Sequence, residues 1–161
     1  MEKSQVEGIE SKETVHYDEN IRKALVAVLE DEGYTVESVD TGKKGIEKTE
    51  TEFFNLALID IRLPDMEGIE VLSGMRETSP KLRKIIITGY PTLQNAAAAV
   101  NKGANAYIMK PFDVEKMLQT IKDQLKKQEE ERKFSERKVA EFIETRVKEL
   151  DAADHTIESR I

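Results

Sequence analysis

Three polar side chains draw attention by where they fall. Asp60 closes the apolar run NLALID (55–60), Thr88 closes KIIIT (84–88), and Lys110 follows NAYIM (105–109). If these runs are parallel strands, their carboxyl ends share one rim, where ligands of doubly wound sheets bind. An acid, a hydroxyl and an amine gathered there suit phosphoryl chemistry. Asp60 supplies a carboxylate nucleophile. Lys110 and Thr88 supply groups that stabilise the oxygens of a transferred phosphoryl group. Taken singly, each residue has a plainer explanation: a turn or cap for the acid, a good strand former for the threonine, a solvated amine for the lysine. The joint pattern is far more specific than its parts.

The elements that must position these residues alternate. A helix is expected over about 19–32, with Asp18 as its N-cap, Ile21, Ala24, Leu25, Val28 and Leu29 on one face, and Gly33 at its exit. YTVESV (34–39) alternates as a strand does, and TGKKGIEKTE reads as a helix with a thin apolar face. LPDMEG is a turn-rich loop. MEGIEVLSGMRET continues as a helix that Ser79-Pro80 stops. PTLQNAAAAVNKG is an Ala-rich helix closing at Gly103, and Asp113 caps a last helix. Strands that are nearly continuous apolar runs between helices imply a parallel sheet covered on both faces, an α/β doubly wound fold.

The last helix runs on without Pro or Gly from Val114 to about Leu150. Leu118, Ile121 and Leu125 form an early apolar seam, Gln128, Arg132 and Ser135 interrupt it, and Val139, Phe142, Ile143, Val147 and Leu150 restore it. Glu129–Lys133 and Glu144–Lys148 stand in the favourable i,i+4 order. The helix reads either as a solvated tail or as one partner of a helical dimer or coiled coil. The chain thus divides into a polar segment 1–15, expected to be disordered or weakly ordered, a domain over 16–127 and a helical extension over 128–161.

Composition narrows the function. The chain has 161 residues, 39% hydrophobic and 35% charged, with a net charge of −7. That acidity argues against nucleic-acid binding as the main task. With no Cys, disulfides and Cys-based zinc sites are excluded. His16 and His155 lie far apart and suggest no metal cluster. No apolar stretch is long enough to cross a bilayer, and the start shows no signal-peptide core. The cytoplasm is the expected location.

The runs LALIDIRLPDMEGIEVL, IIITGY and GANAYIMKPF resemble the receiver domain of two-component response regulators over roughly residues 16–127. The resemblance implies a flavodoxin-like receiver fold. It implies that a histidine kinase phosphorylates Asp60, with Thr88 as the switch hydroxyl, Tyr107 as the aromatic that changes rotamer, and Lys110 contacting the phosphoryl oxygens. Pro111 would follow a cis bond.

The chain departs from that family at its start. The family's first strand is an apolar run ending in two acids that help hold Mg²⁺. Here the run falls on Ser11, Lys12, Glu13 and Thr14, and the acids on His16 and Tyr17. Neither is a hard oxygen ligand of the kind Mg²⁺ prefers, so only Asp60 remains as a weak Mg²⁺ ligand. Burying Lys12 and Glu13 in a central strand is costly. The first strand is therefore expected to be degraded or displaced. It pairs as a poor strand, or leaves the sheet with strands 34–39 and 55–60 meeting directly or the gap filled by another chain, or the domain relies on a dimer for stability; displacement is favoured.

Two functions follow. One is a phospho-acceptor weakened by loss of the acidic pair. The other is a non-phosphorylated pseudo-receiver serving as an interaction or dimerisation module, as a homodimer through the last helix or the sheet edge. An Asp-nucleophile hydrolase is the weakest reading, because no second acid is placed as a base; the chain is not expected to be an enzyme.

Overall fold

A computed structural model describes the backbone of residues 5–9, 15–89, 92–111 and 113–158, and the side chains of 19–89, 92–111 and 113–154. Five strands, β1 (Gln5–Ile9), β2 (Thr35–Val39), β3 (Leu56–Asp60), β4 (Arg83–Thr88) and β5 (Ala106–Met109), form one sheet in the order β2-β1-β3-β4-β5. All pairings are parallel. The helices are α1 (Val15–Asp31), α2 (Gly42–Thr51), α3 (Gly68–Gly74), α4 (Leu93–Asn101) and α5 (Val114–Glu158).

The continuous apolar character of β3 and β4 follows from burial on both faces. Ala57, Ile59 and Ile86 join one cluster with Val71, Leu72 and Ala99 of α3 and α4. Their neighbours Leu56, Leu58, Ile85 and Ile87 join a second with Leu29 of α1 and Met117 and Ile121 of α5. Successive side chains point to opposite faces, so each face needs its own apolar set.

The beginning of the chain supplies the first strand. Within the polar segment 1–15, β1 is formed by Gln5–Ile9. Strands β2 and β3 do not meet directly. Gln5–Ile9 register with Thr35–Val39, and Val6–Ile9 with Leu56–Ile59. A vacant centre would leave two rows of backbone N–H and C=O groups without partners. QVEGI, poor in apolar residues yet carrying Val6 and Ile9, fills it. Residues 10–14, on which the family's first strand was aligned, lie outside the described residues. α1 starts at Val15, so Asp18 falls inside the helix rather than at its cap. The backbone of His16 and Tyr17 is helical, so neither residue ends a strand; their side chains lie outside the described residues.

α3 is shorter than its apolar spacing suggested. It ends at Gly74, where Met75 turns extended and its N–H still reaches the Val71 carbonyl. The Met75 side chain then buries in the first cluster.

One compact unit runs to Gln128 and a second covers Glu129–Ile161. In the first, Met117, Ile121, Gln124 and Gln128 are the buried residues of α5, spaced along one helical face. Gln128 is not a flaw in an apolar seam. Its Nε2 donates to the carbonyls of Asn55 and Lys81, each at 2.9 Å, and its Oε1 accepts from Asn55 Nδ2 at 3.0 Å. In the second unit, Arg132 pairs with Glu129 and Glu136, where a Glu129–Lys133 pair was expected. Lys148 pairs with Glu144 as expected. Phe134, Val139, Phe142, Ile143, Val147 and Leu150 are exposed. Among the described residues no helix is long and apolar enough to cross a membrane.

Candidate functional site

β3 carries Asp60 to the carboxyl end of the sheet, and β4 brings Thr88 beside it. Asp60 registers with Ile87, and the N–H of Ile61 donates to the Ile87 carbonyl at 3.0 Å. Thr88 registers with Met109 on the far side. The next residue, Lys110, donates its N–H to the Thr88 carbonyl at 2.6 Å. That bond fixes where the lysine stem starts, and its Nζ reaches back to Asp60 Oδ2 at 2.7 Å. Acid and amine therefore meet across 50 residues of sequence.

Asp60 is 6% exposed and Thr88 fully buried. A carboxylate so placed must be compensated. Lys110 does this at one oxygen. At the other, the N–H of Arg62 donates to Oδ1 at 3.1 Å. The loop supplying that amide folds on itself. The N–H of Gly68 donates to the Ile61 carbonyl at 2.7 Å, and that of Leu63 to the Met66 carbonyl at 3.2 Å. Gly68 is required sterically: a Cβ there would stand 2.2 Å from the Asp60 carbonyl oxygen.

Tyr107 lies opposite Ile86 in the β4–β5 register, and its ring packs against the first cluster. Its hydroxyl is buried without a hydrogen-bond partner among the described residues. Such a group costs about 1–3 kcal/mol relative to a satisfied one. The Lys110–Pro111 peptide is cis, as the resemblance implied.

The structure thus brings Asp60, Thr88 and Lys110 to one rim, and sets Tyr107 on the neighbouring strand, half-buried against the first cluster. The sequence reading missed the Arg62 amide, the Gly68 contact and Asp65, which accepts from the Gly42 N–H and the Lys43 N–H, each at 2.9 Å. The signal was present in LPDMEG, but a turn-rich loop by itself does not say which helix its acid will reach.

The described rim does not make a Mg²⁺ site by itself. Mg²⁺ needs near-octahedral oxygen ligation, and no group of three or more acidic, His or Cys side chains suited to a metal ion occurs among the described residues. Asp65, the acid of the adjoining loop, has both oxygens on backbone amides.

The family model for the response regulator receiver domain matches residues 15–122, and the chain belongs to that family. The match begins after β1. Relatives include the uncharacterised transcriptional regulatory protein YkoG of Bacillus subtilis, 32% identical over 70% of this chain and 49% of its own length. The response regulator ArlR of Staphylococcus saprophyticus is 34% identical over 71% of this chain and 51% of its own. The chain spans about half or less of the length of these curated relatives, and 23% in the case of the Klebsiella oxytoca regulator ZraR. Among solved structures, a CheY-like receiver domain protein from Methanospirillum hungatei superposes with a TM-score of 0.73 at 42% identity, over 81% of this chain and 99% of that one. The beryllofluoride-activated NtrC4 receiver domain dimer gives 0.68 at 31% identity, over 77% and 98%. Phosphorylation on an aspartate by a histidine kinase is general to this family, and its members generally hold Mg²⁺ in an acidic pocket.

Proposed function

We propose that this chain is a signalling receiver that accepts a phosphoryl group on Asp60. The observation that carries the reading is the 2.7 Å contact between Asp60 Oδ2 and Lys110 Nζ. Asp60 attacks the phosphorus of a phosphohistidine on the donor kinase. A carboxylate O–P bond forms as the N–P bond breaks, and the imidazole leaves and takes up a proton. Lys110, with Thr88 beside it, stabilises the phosphoryl oxygens. Tyr107 responds with Thr88, and the altered surface of α4, β5 and α5 changes partner preference, which requires differential contacts in two states.

The acceptor is weaker than a receiver with a full acidic pair. In the sequence resemblance His16 and Tyr17 stand where the family's acids align, though both lie in α1 and end no strand, and Asp60 is the remaining candidate Mg²⁺ ligand among the described residues. Incubation with a small phosphodonor, with Mg²⁺ or with chelator, followed by intact mass, tests the reading. Wild type gains one phosphoryl group and Asp60→Asn gains none. Absence of an adduct on wild type at any Mg²⁺ concentration overturns it.

One observation favours a second reading, a non-phosphorylated module that pairs with another copy. Val139, Phe142, Ile143, Val147 and Leu150 are exposed along one helix at spacings that form a stripe. Light scattering tests this role: the full chain is dimeric and a chain ending at Gln128 is not. An unchanged number of chains per particle removes the helix from the account.

A further inference from the structure

Both oxygens of Asp65 reach beyond their own loop to the start of α2. Oδ1 accepts from the N–H of Gly42 and Oδ2 from that of Lys43, both at 2.9 Å. These are the first two residues of α2. The third amide of that turn, Lys44 N–H, goes to Thr41 Oγ1 at 3.1 Å. The free N–H groups of a helix start need acceptors, and here two of three are supplied by an acid 23 residues away. The contact is close throughout. A Cβ on Gly42 would stand 2.7 Å from Met66 Cγ and 2.8 Å from Val71 Cγ2, so Gly42 lets the helix start lie directly on the loop. Burial by itself would raise the Asp65 carboxyl, but the backbone hydrogen bonds from Lys43 and Gly42, with those from Asp65 itself and Met66, together outweigh it, and the group sits below its ordinary range. Asp65 is therefore held as a carboxylate, the form that suits the positive end of a helix.

The same loop carries the amide that faces the acceptor. Arg62 N–H donates to Asp60 Oδ1, and the Leu63–Met66 bond closes the short span between Arg62 and the residues flanking Asp65. We propose that Asp65 is a positioning residue: by clamping the β3–α3 loop to the start of α2, it sets the Arg62 amide on Asp60 Oδ1 and so orients the acceptor carboxylate. This deepens the phospho-acceptor reading and rests on it for its rate consequence. Misplacement of a reacting group by a fraction of an ångström to an ångström slows chemistry by roughly ten- to a hundredfold.

The test compares Asp65→Ala with Thr41→Ala. Both remove a cap from the same helix start, but only the first releases the loop. Phosphoryl uptake from a small phosphodonor at saturation is read alongside the amide resonance of Arg62 in ¹⁵N-labelled full chain. Asp65→Ala is expected to lower the saturated rate by roughly tenfold and to shift the Arg62 amide, and Thr41→Ala to do neither. Asp65→Asn keeps one acceptor oxygen and falls between. It takes over the test if the alanine variant does not fold. An unmoved Arg62 amide in the Asp65 variants, or equal effects from Thr41→Ala, overturns the positioning role. If wild type takes up no phosphoryl group, the functional reading falls and the amide comparison still decides whether Asp65 sets the loop.

Discussion

Lys110 and Asp60 meet at 2.7 Å between Nζ and Oδ2, although one follows β5 and the other closes β3. The meeting depends on β5 leaving the sheet where its next amide can bind the Thr88 carbonyl. It neutralises a nearly buried carboxylate and leaves an ammonium on the oxygen that would take a phosphoryl group.

Lys110→Ala is expected to cost about 1–3 kcal/mol of stability, because Asp60 is left buried with one compensating partner fewer. Urea unfolding measures this. The same variant is expected to slow phosphoryl uptake by roughly ten- to a hundredfold, the usual scale for loss of one stabilising donor.

Gly68→Ala tests the tightness of the loop. The new Cβ would meet backbone, at 2.2 Å from the Asp60 carbonyl oxygen and 2.8 Å from Ile61 Cα. Backbone cannot rotate out of the way as a side chain can. A loss of about 1–3 kcal/mol is expected, the common scale of overpacking, with phosphoryl uptake falling as well. Thermal unfolding and intact mass read the two effects.

Asp65 makes a prediction with a definite sign in pH. Its carboxyl is lowered in the folded state, so its contribution is fully present above the ordinary Asp value of about 4. It is lost as pH falls through the lowered folded value. Denaturant midpoints of wild type and Asp65→Asn are expected to differ at pH 7 and to converge in acid. A gap that stays constant with pH would contradict the assignment.

Gln128 marks where the domain ends. Gln128→Leu removes three part-buried hydrogen bonds, to the side chain and carbonyl of Asn55 and to the carbonyl of Lys81, an expected loss of about 1–3 kcal/mol. A chain ending at Lys127 is expected to unfold at lower urea than one ending at Glu131. Equal midpoints would show that the anchor contributes nothing.

Much of this was legible in the residues. The apolar runs ending at Asp60 and Thr88, alternating with helices, read as buried parallel strands, which puts their last residues on one rim with Lys110. The N-terminal strand was not legible, because its place was sought among Ser11–Thr14, in line with the family, while QVEGI upstream has too few apolar residues to announce itself. Backbone pairing across the sheet centre decides that case, and pairing carries no side-chain signature. Gln128 was misjudged for a related reason. A polar residue in an apolar seam looks like a defect until its three partners, distant in sequence, are known. Asp65 was hidden in the same way, since its partners belong to another helix.

The acceptor itself is tested most directly by mapping it. After incubation with a small phosphodonor, borohydride reduction converts an aspartyl phosphate to homoserine, and peptide mass spectrometry locates the change. The account expects homoserine at position 60, and none in Asp60→Asn. Homoserine at Asp65 or elsewhere in wild type, with position 60 unmodified, would contradict it.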